Sequence, residues 1–260
     1  MISVFILSWN NKKTIQKCAQ AAFEDVKDME HEFIFVDNGS DDGTVDLIGE
    51  WITGHLKDNF KFIRNSENKG ISHGKNAGID ASCGEYILML DGDVVAVPNS
   101  VKLMLAWLEE NGKDALGMFP NKFSNTPDHA ETYCNELIGF REFKCCCLYY
   151  GLFRRKIFDS GLRLSVDGEF GKPGYGWEDH DFFLRMKQKG IIQYVAHINS
   201  EKGKYFHDIN SSIRAMGHDK YIETMRSRDK QFKETWEGKS GSGQGSDKPS
   251  GRSRRTRKKD

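Results

Sequence analysis

The feature that most constrains the fold of this chain is a repeated alternation of short apolar runs and helical patterns. The run ISVFILS at 2–8 predicts a strand, and a helical pattern follows at 13–23. The run HEFIFVD ends at Asp37, and another helical pattern follows at 44–55. Buried strands joined by helical crossovers favour a mostly parallel sheet with helices on both faces. We therefore expect an α/β fold.

Polar clusters follow three of the predicted strands. SWNN follows the first strand, VDNGSDDGT ends the second, and LDGDV ends a strand at 86–90. Between the last two lie a short strand at 61–64 and the loop NSENKGISHGKNAGIDAS, whose second half predicts a helix. Ligands of such sheets bind beyond the carboxyl ends of the strands, so we expect the three clusters to meet in one crevice.

The second half of the chain is less regular. We expect a helix at 100–111, a strand at 115–119 and, in CCCLYYGLFRRKIF, a strand that runs into a helix. DGEFGKPGYGW is typical of a mobile glycine-rich loop, and EDHDFFLRMKQKG predicts a helix that stops at Gly190. Further strands are expected at 191–196 and near Tyr205.

Charge divides the chain into two parts. The 260 residues carry no formal net charge, but residues 238–260 contain eight Lys or Arg and two acidic residues. Residues 1–237 therefore keep 30 basic and 36 acidic residues, which is not the balance of a polyanion-binding domain. We expect residues 1–237 to form one catalytic domain. Residues 238–260 lack apolar periodicity and are expected to form a disordered basic tail.

Cysteine usage indicates a reducing, cytoplasmic compartment. Cys18, Cys83, Cys134 and the run at 145–147 lack C-x-x-C spacing and the spread of a secreted disulfide scaffold. The run either binds a soft metal or packs as small buried hydrophobes, and the alternation of side chains along a strand favours packing. ISVFILSW is too short to span a membrane, and no later stretch is long and apolar enough for a transmembrane helix.

The sequence LDGDV places two carboxylates, Asp91 and Asp93, on either side of Gly92. Neighbouring carboxylates repel each other, so they are tolerated mainly where a positive charge lies between them or water is abundant. Mg²⁺ and Mn²⁺ take oxygen ligands of this kind together with substrate phosphates. Gly92 would let the backbone approach a ligand closely. The structural alternative is an Asp-Gly turn between strands.

Five motifs, in order along the chain, resemble glycosyltransferase family 2. They are SVFILSWNN, FVDNGSDDGT, NKGISHGKNAGI, GEYILMLDGDV and GWEDHDFFLRMKQKG, and they cover roughly residues 2–190. The resemblance implies a Rossmann-like GT-A fold and inverting transfer from a nucleotide sugar. The segment from LYYGLFRRKIFDSGL to GYGWEDHDFFLRM also resembles the catalytic segment of animal galactosyltransferases and polypeptide N-acetylgalactosaminyltransferases. It has GYGW before the acid pair rather than the galactosyltransferase W-G-G-E-D pattern, which leaves the donor sugar open.

The resemblance implies a nucleotide pocket built by the first loops. Asp37 would hold the base or ribose, with an N-cap or Asx turn as the structural alternative. The wall of the same pocket would be formed by Ser8, Trp9 and Asn10. A lysine in the loop that closes over the nucleotide would pair with phosphate or start a solvated helix. The matching residues of that loop are Asn68, Gly70, Lys75 and Asn76.

The resemblance also implies a metal site and a general base. Asp93 would bind Mn²⁺ or Mg²⁺ directly, Asp91 would reach the ribose or a metal-bound water, and the metal would bridge the two phosphates of the leaving group. His207, in YFHD, lies where related enzymes often supply a third ligand, although a lone histidine is as often structural. Asp179 would deprotonate the acceptor, and Glu178 would position acceptor or donor hydroxyls.

Two features of the acid-pair region have structural alternatives. A helix start stabilises carboxylates whatever their role, so the pair at 178–179 is also consistent with a favourable first turn. Trp177 and Tyr175 would either stack on a sugar ring or pack at a hinge.

The predicted function is metal-dependent transfer of a sugar from a nucleotide diphosphate sugar, a UDP-sugar, to an acceptor hydroxyl with inversion. A sugar-nucleotide nucleotidyltransferase is one alternative, but SWNNKKT lacks the glycine-rich basic triphosphate loop that it needs. A non-catalytic nucleotide-sugar or glycan-binding module is another. The acceptor stays open among protein, lipid-linked or free glycan, and nucleic acid. The basic tail adds a polyanion, nucleic acid or an anionic membrane, as a possible partner.

Overall fold

The computed structural model describes residues 1–56, 58–118, 122–124, 137–142, 147–174, 176–198, 204–207 and 216–236. The strands are β1 (Ile2–Ser8), β2 (His31–Asp37), β3 (Phe60–Arg64), β4 (Tyr86–Asp91), β5 (Val94–Val95), β6 (Ala115–Met118), β7 (Lys122–Ser124), β8 (Leu137–Glu142), β9 (Tyr150–Arg154), β10 (Tyr194–Ile198) and β11 (Lys204–His207). The α-helices are α1 (Ile15–Val26), α2 (Thr44–His55), α3 (Ile71–Ala81), α4 (Ser100–Asn111), α5 (Lys156–Asp159), α6 (Glu178–Gln188) and α7 (His218–Trp236), with a 3-10 turn at Gly168–Gly171. Tyr175, Cys134, Cys145, Cys146 and the expected tail at 238–260 lie outside the described residues.

The main sheet confirms the predicted α/β fold. Within the described residues it has eight strands in the order β3-β2-β1-β4-β9-β6-β10-β8. The pairs β3/β2, β2/β1, β1/β4 and β6/β10 are parallel. The antiparallel pairs all involve β9 or β8, so the sheet is mixed in its second half. Since β1, β2 and β4 run in the same direction, their carboxyl ends share one edge of the sheet.

Strand register brings the predicted site residues to the same level of that edge. On one side of β1, Ser8 pairs with Asp37; on the other, Leu7 pairs with Asp91. Neighbouring strands lie about 4.8 Å apart, so the ends of β1, β2 and β4 form one continuous rim. The expected convergence of the three polar clusters is confirmed at the level of the backbone.

Both faces of the sheet are covered by helices, because residues along each central strand point alternately to the two sides. Val4 and Ile6 of β1 join a core cluster with buried residues of α1, α2 and α4. Phe5 and Leu7 join a second cluster with residues of α3, α5 and α6. This two-sided burial explains why the strands are continuous apolar runs in the sequence.

A second, three-stranded sheet lies next to the Asp-Gly-Asp turn, with the order β5-β11-β7. Strand β5 begins directly after Asp93, and the backbone of His207 in β11 pairs with Val94. The chain therefore brings His207 next to the residue that follows Asp93. The side chain of His207 lies outside the described part of the structure.

Helix α7 is an element that the sequence pattern did not lead us to expect. It contacts the 3-10 turn at Gly168–Gly171, which lies within the segment 167–177 that was expected to be a mobile glycine-rich loop. A Cβ atom added to Gly176 would lie 2.2 Å from Sδ of Met225, and one added to Gly174 would lie 3.1 Å from Cβ of Thr224. These glycines let the segment lie flat against α7. Across the described residues, no helix combines the length and apolar character needed to cross a membrane.

Candidate active site

The Asp-Gly-Asp turn is fastened to the rim of the sheet at Gly92. Its N–H donates to the carbonyl of Leu7 at 2.7 Å, and its carbonyl accepts a hydrogen bond from Oγ1 of Thr14 at 2.8 Å. A Cβ atom at this position would lie 2.9 Å from Oδ1 of Asn11 and 3.1 Å from Cβ of Ser8. Glycine is therefore required here because the turn packs closely against the end of β1 and the loop that leads into α1.

The two carboxylates of the turn differ in their surroundings. The side chain of Asp91 is 32% exposed, whereas Asp93 is buried. Burial, and then the charges of Asp93 and Asp91, raise the pKa of the Cys18 thiol, whose Sγ lies 3.5 Å from the carbonyl of Asp91. Both carboxylates of the turn thus act on the same buried thiol.

Lys75 supplies a positive charge at this turn. Its ammonium group donates a hydrogen bond to the carboxylate of Asp91 and another to the carbonyl of Leu148 at 2.8 Å. The side chain is only 1% exposed. The lysine that the resemblance placed opposite phosphate is thus bonded to the first aspartate of the turn.

Asp37 organises the loop that follows β2. It is fully buried, and its Oδ2 accepts hydrogen bonds from the backbone N–H groups of Gly39 and Ser40 at 3.2 and 3.0 Å. Oγ of Ser8 lies 3.5 Å from its Oδ1, so the two predicted pocket residues face each other across the strand pair. The carboxylate forms the Asx-type turn that was the structural alternative for this position.

Asn10 joins the first two loops. It has a positive φ of 56°, and its N–H donates to Oγ of Ser40 at 2.9 Å. Its Oδ1 accepts from the N–H of Asp41 at 3.0 Å. Trp9, the residue before it, is partly exposed and donates its N–H to Oδ1 of Asn11 at 2.9 Å. The amide of Asn10 therefore braces one wall of the crevice and fixes its shape.

Asn38 holds the third loop and is a residue that sequence reasoning missed. Its Nδ2 donates to Oδ1 of Asn68 at 3.0 Å and to the carbonyl of Gly70 at 3.1 Å, while its Oδ1 accepts from Nδ2 of Asn65 at 3.0 Å and from the N–H of Lys69 at 3.2 Å. It stands within the motif VDNGSDDGT, directly after Asp37. The available sequence signal for Asn38 was its position at the end of a predicted strand.

Asn76 lies on α3 and ties that helix to the later part of the chain. Its Nδ2 donates to the carbonyl of Leu164 at 2.9 Å, and its Oδ1 accepts from the N–H of Leu164 at 2.9 Å. Gly70, the N-cap residue of α3, has a φ of +91°. A Cβ atom there would lie 2.4 Å from the carbonyl oxygen of Lys172. Both residues therefore dock the helix α3 against the segment that leads to α6.

The acid pair opens α6 as predicted, and its two members lie in different environments. Glu178 is 5% exposed and accepts a hydrogen bond from Nη1 of Arg228, on α7, at 2.7 Å. Burial raises the pKa of Glu178, and the charge of Arg228 opposes that change. Arg228 is the second residue missed from the sequence; it is itself 1% exposed.

Asp179 is the member of the pair that interacts with the rest of the crevice. Burial and the charge of Glu178 raise its pKa well above the usual range; Lys75 opposes this change, and Asp91 adds to it. The charges of Lys75 and Asp91 are thus among the influences on the pKa of Asp179, although the sequence separates the three residues widely.

Trp177 packs inward against α7. Its ring centroid lies 4.6 Å from that of Phe232 and 5.6 Å from that of His180. Its φ of +68° places it at the N-terminus of α6. This stacking matches the packing alternative for Trp177.

The Asp-Gly-Asp turn fits a hard divalent cation in its donor chemistry. Asp91 and Asp93 supply carboxylate oxygens on one short turn, and Mg²⁺ sites often use only one or two carboxylates beside substrate phosphates. Among the described side chains, no group of three or more His, Cys, Asp and Glu residues is arranged to hold a metal ion. A third ligand at His207 stays a prediction.

An open α/β sheet whose carboxyl rim carries carboxylates and a buried lysine is typical of α/β enzymes that bind their ligand at that edge. The sequence model of "Glycosyl transferase family 2" matches residues 3–161, more than half of the chain. The chain belongs to this family, which confirms the resemblance seen in its motifs. The acid pair at 178–179 and helix α7 lie beyond the matched residues.

Curated relatives match parts of longer proteins. "Glycosyltransferase AglE" of Haloferax volcanii is 30% identical over 117 residues, covering 45% of this chain and 38% of that protein. "Chondroitin synthase" of Escherichia coli is 22% identical over 269 residues, covering 91% of this chain and 36% of that protein. The chain spans less than two fifths of the length of these relatives.

Solved structures confirm the GT-A fold expected from the resemblance. Staphylococcus aureus TarS 1–349 superposes with a TM-score of 0.57 at 18% identity, covering 82% of this chain and 62% of that one. The mannosyltransferase PcManGT from Pyrobaculum calidifontis, in complex with GDP-Man and Mn²⁺, superposes with a TM-score of 0.59 at 14% identity, covering 94% and 65%. At these identities the likeness concerns the fold alone.

Proposed function

We propose that this chain transfers a sugar from a UDP-sugar to an acceptor hydroxyl, with inversion at the anomeric carbon. Family membership supports glycosyl transfer from a nucleotide sugar. The observation that carries the proposal is the pairing of Asp91 with the buried Lys75 at the carboxyl end of β4, and the charges of both residues are among the influences on the pKa of Asp179, the candidate base. A half-buried carboxyl whose pKa is raised at such a place is more typical of a catalytic site than of a binding module.

Asp179 is proposed as the general base. In its ionised form it takes the proton of the acceptor hydroxyl as the acceptor oxygen bonds to the anomeric carbon. The bond between that carbon and the phosphate oxygen breaks on the opposite face, and its electron pair leaves with the nucleotide diphosphate. A base works best when its pKa lies near the working pH, so a raised pKa suits Asp179 to this step. One such displacement inverts the configuration at carbon.

Asp93 and Asp91, with His207 as a third candidate, would hold a divalent cation, Mn²⁺ or Mg²⁺. When bound, such a cation would neutralise the charge that develops on the leaving diphosphate. Lys75 has a related effect, because its buried ammonium group donates a hydrogen bond to the carboxylate of Asp91 at the end of β4. It limits the repulsion between the two aspartates and keeps the turn ordered.

The nucleotide is proposed to lie along the loops that end β1 and β2. Trp9 is partly exposed there. The surrounding backbone is shaped by the hydrogen bonds of Ser8, Asn10, Asp37 and Asn68. Asn76 holds the neighbouring helix α3 in place through Leu164. UDP is supported by the similar TarS structures in complex with UDP-GlcNAc and with UDP. PcManGT was solved with GDP-Man, so a guanine nucleotide is the alternative that a test must include.

A glycan hydroxyl is the proposed acceptor class. Two of the relatives are named chondroitin synthase and poly-β-1,6-N-acetyl-D-glucosamine synthase, which are names of polysaccharide-forming enzymes. Residues 1–237 are proposed as the catalytic unit, and residues 238–260 as a separate basic tail.

A panel of UDP- and GDP-sugars, screened by thermal shift with and without Mn²⁺, tests the donor. We expect one UDP-sugar to raise the melting temperature in a Mn²⁺-dependent way and to release UDP slowly in water. NMR of the anomeric proton of a transferred product should show a β-linkage from an α-linked donor. Retention, or stabilisation by a donor with no release of nucleotide, would contradict the proposal.

Asp179→Asn separates chemistry from binding in the same assay. It keeps the shape of the side chain but removes its ability to accept a proton. Transfer should fall by roughly 10²- to 10⁴-fold while UDP affinity is retained. Near-normal turnover in this variant would remove Asp179 as the base.

A further inference from the structure

Arg228 lies outside the residues matched by the family, yet it reaches the acid pair from helix α7. Its side chain is 1% exposed. Nη1 donates to Oε2 of Glu178 at 2.7 Å, and Nη2 donates to the carbonyl of Lys172 at 2.8 Å. Nη1 also lies 3.5 Å from the carbonyl of Gly176, the residue two positions before Glu178. One guanidinium group therefore binds both ends of the segment that leads into α6.

The same contacts extend to helix α3. The carbonyl of Lys172 that Arg228 binds is the one that faces Gly70, where a Cβ would lie only 2.4 Å away. The planar guanidinium thus joins α7 to the turn before α6, and that turn in its own right contacts the start of α3. A planar fork with several donors in fixed directions is well suited to such a position, whereas an ammonium group is not.

Burial and the charge of Arg228 have opposite effects on the pKa of Glu178. Burial raises the pKa of Glu178, and Arg228 opposes this. Burial is the larger cause that raises the pKa of the Tyr221 hydroxyl on α7, and the negative charge of Glu178 is the second cause. The charge of Glu178 also raises the pKa of Asp179. Arg228 is the cation in direct contact with Glu178, so the arginine helps to keep a buried carboxylate charged and in place.

We infer that Arg228 is a positioning residue, which holds Glu178 and the preceding turn against helix α7 so that Asp179 is presented to the crevice. The inference rests on the proposed function, because it assigns Arg228 a part in the transfer that Asp179 carries out. It also makes the C-terminal helix part of the catalytic unit. Displacements of about 1 Å at a reacting group are enough to reduce rates by roughly 10²-fold.

The experiment compares Arg228→Met with Arg185→Met. Arg185 lies on α6 and donates to Asp181 at 2.6 Å, so it offers a second arginine paired with a buried carboxylate on the same helix, away from Glu178. Hydrogen exchange of the amides at 176–182, followed by mass spectrometry, reports on the turn without any substrate. At 176–179, the part of this stretch before Asp181, we expect exchange to become at least about tenfold faster in Arg228→Met and to change little in Arg185→Met.

Turnover and binding are measured on the same variants. For Arg228→Met we expect release of UDP from the accepted UDP-sugar to fall about 10²-fold at saturating donor, while the Kd of UDP with Mn²⁺ stays within about twofold. Arg228→Lys, which keeps the charge but not the fork, should lie between Arg228→Met and wild type. If Arg228→Met fails to fold, Arg228→Lys carries the same comparisons.

The outcomes separate this inference from the proposed function. Wild-type turnover in Arg228→Met or in Arg228→Lys, with unchanged exchange at 176–182, would overturn the positioning role. So would equal losses in Arg228→Met and Arg185→Met, because they would indicate a general loss of stability. If the wild type releases nucleotide from no donor, the proposed function fails, and the exchange comparison still decides whether Arg228 holds the turn.

Discussion

Lys75, on helix α3, donates a hydrogen bond to the carboxylate of Asp91 at the carboxyl end of β4. The lysine is almost fully buried, whereas about a third of the Asp91 side chain is exposed. Burying an ammonium group is costly unless it is paired and hydrogen-bonded. The Asp91 carboxylate therefore offsets the cost of burying the Lys75 side chain. The contact also ties α3 to the turn that carries both aspartates.

Replacement of Lys75 by Met should therefore destabilise the protein measurably. The variant keeps the apolar stem but leaves the carbonyl of Leu148 without its donor and Asp91 without its cation. We expect the free energy of unfolding in urea to fall by about 1–3 kcal/mol. Lys27→Met is the control, because the Lys27–Glu24 pair is about half exposed on both sides and should contribute less than about 1 kcal/mol. Equal effects of the two substitutions would contradict this account.

The two aspartates of the turn should differ in their effect on the metal. Asp93→Ala is expected to abolish Mn²⁺-dependent binding of UDP, because Asp93 is proposed as the direct ligand. Asp91→Ala should weaken binding without abolishing it. Calorimetric titration of UDP with and without Mn²⁺ measures both, and circular dichroism checks the fold. Unchanged UDP affinity in Asp93→Ala would remove Asp93 as a ligand.

The rim of the sheet was predictable from the sequence because it depends on local pattern. Continuous apolar runs ending in Asp37 and Asp91 fixed both the strands and their carboxyl ends, and parallel pairing then brought those ends together. Asn38 was overlooked because an asparagine after a strand is expected in many turns. Its four hydrogen bonds depend on the later loop at 65–70, which no local pattern reveals.

Helix α7 was missed for a different reason. Its residues are largely charged, and the buried ones, Arg228 and Phe232, are few. An arginine within a charged helix normally indicates an exposed face, so its pairing with Glu178 needed the tertiary structure to be recognised. A spacing of three or four between Tyr221, Met225, Arg228 and Phe232 was the available signal.

The basic tail is predicted to be separate from the catalytic unit. A chain that ends at residue 237 should bind UDP and release it from donor at about the wild-type rate. Loss of donor turnover on truncation would show that residues 238–260 belong to the site. Loss restricted to a polyanionic acceptor, with a steep salt dependence, would instead make the tail a docking arm for that acceptor.

The close packing of α7 on the turn before α6 predicts a specific effect at Gly176. Alanine there would adopt a φ of +111° and place Cβ 2.2 Å from Sδ of Met225. Gly190→Ala is the control, because Gly190 also has a positive φ, of 71°, but a Cβ there meets no atom within 4 Å. We expect Gly176→Ala to cost about 1–3 kcal/mol more than Gly190→Ala in urea unfolding, because a φ of +111° is more strained for alanine than one of 71° and the Met225 side chain must also move. The double variant Gly176→Ala/Met225→Ala should recover part of this difference, and no recovery would rule out the clash with α7 as the cause.

Asp179 should reduce the stability of the protein at neutral pH, because burial and the charge of Glu178 raise its pKa in the folded state. In the unfolded chain the pKa of an aspartate is about 3.9. The folded state therefore binds the proton more tightly, and stability falls as pH rises from about 4 through the folded pKa. Asparagine does not titrate, so Asp179→Asn should gain stability relative to wild type over that range, and the gain should grow as the pH rises. Below pH 4 the difference should become constant.

Thermal and urea unfolding between pH 4 and 8 measure this change, with Asp167→Asn as a control at an exposed aspartate. A stability difference for Asp179→Asn that does not vary with pH would mean that the carboxyl titrates normally in the folded protein. In that case the argument for Asp179 as a base with a raised pKa would fail as well. A gain in stability that accompanies a loss of transfer would instead show that the folded state tolerates an unfavourable carboxylate at the position where the proposed reaction needs one.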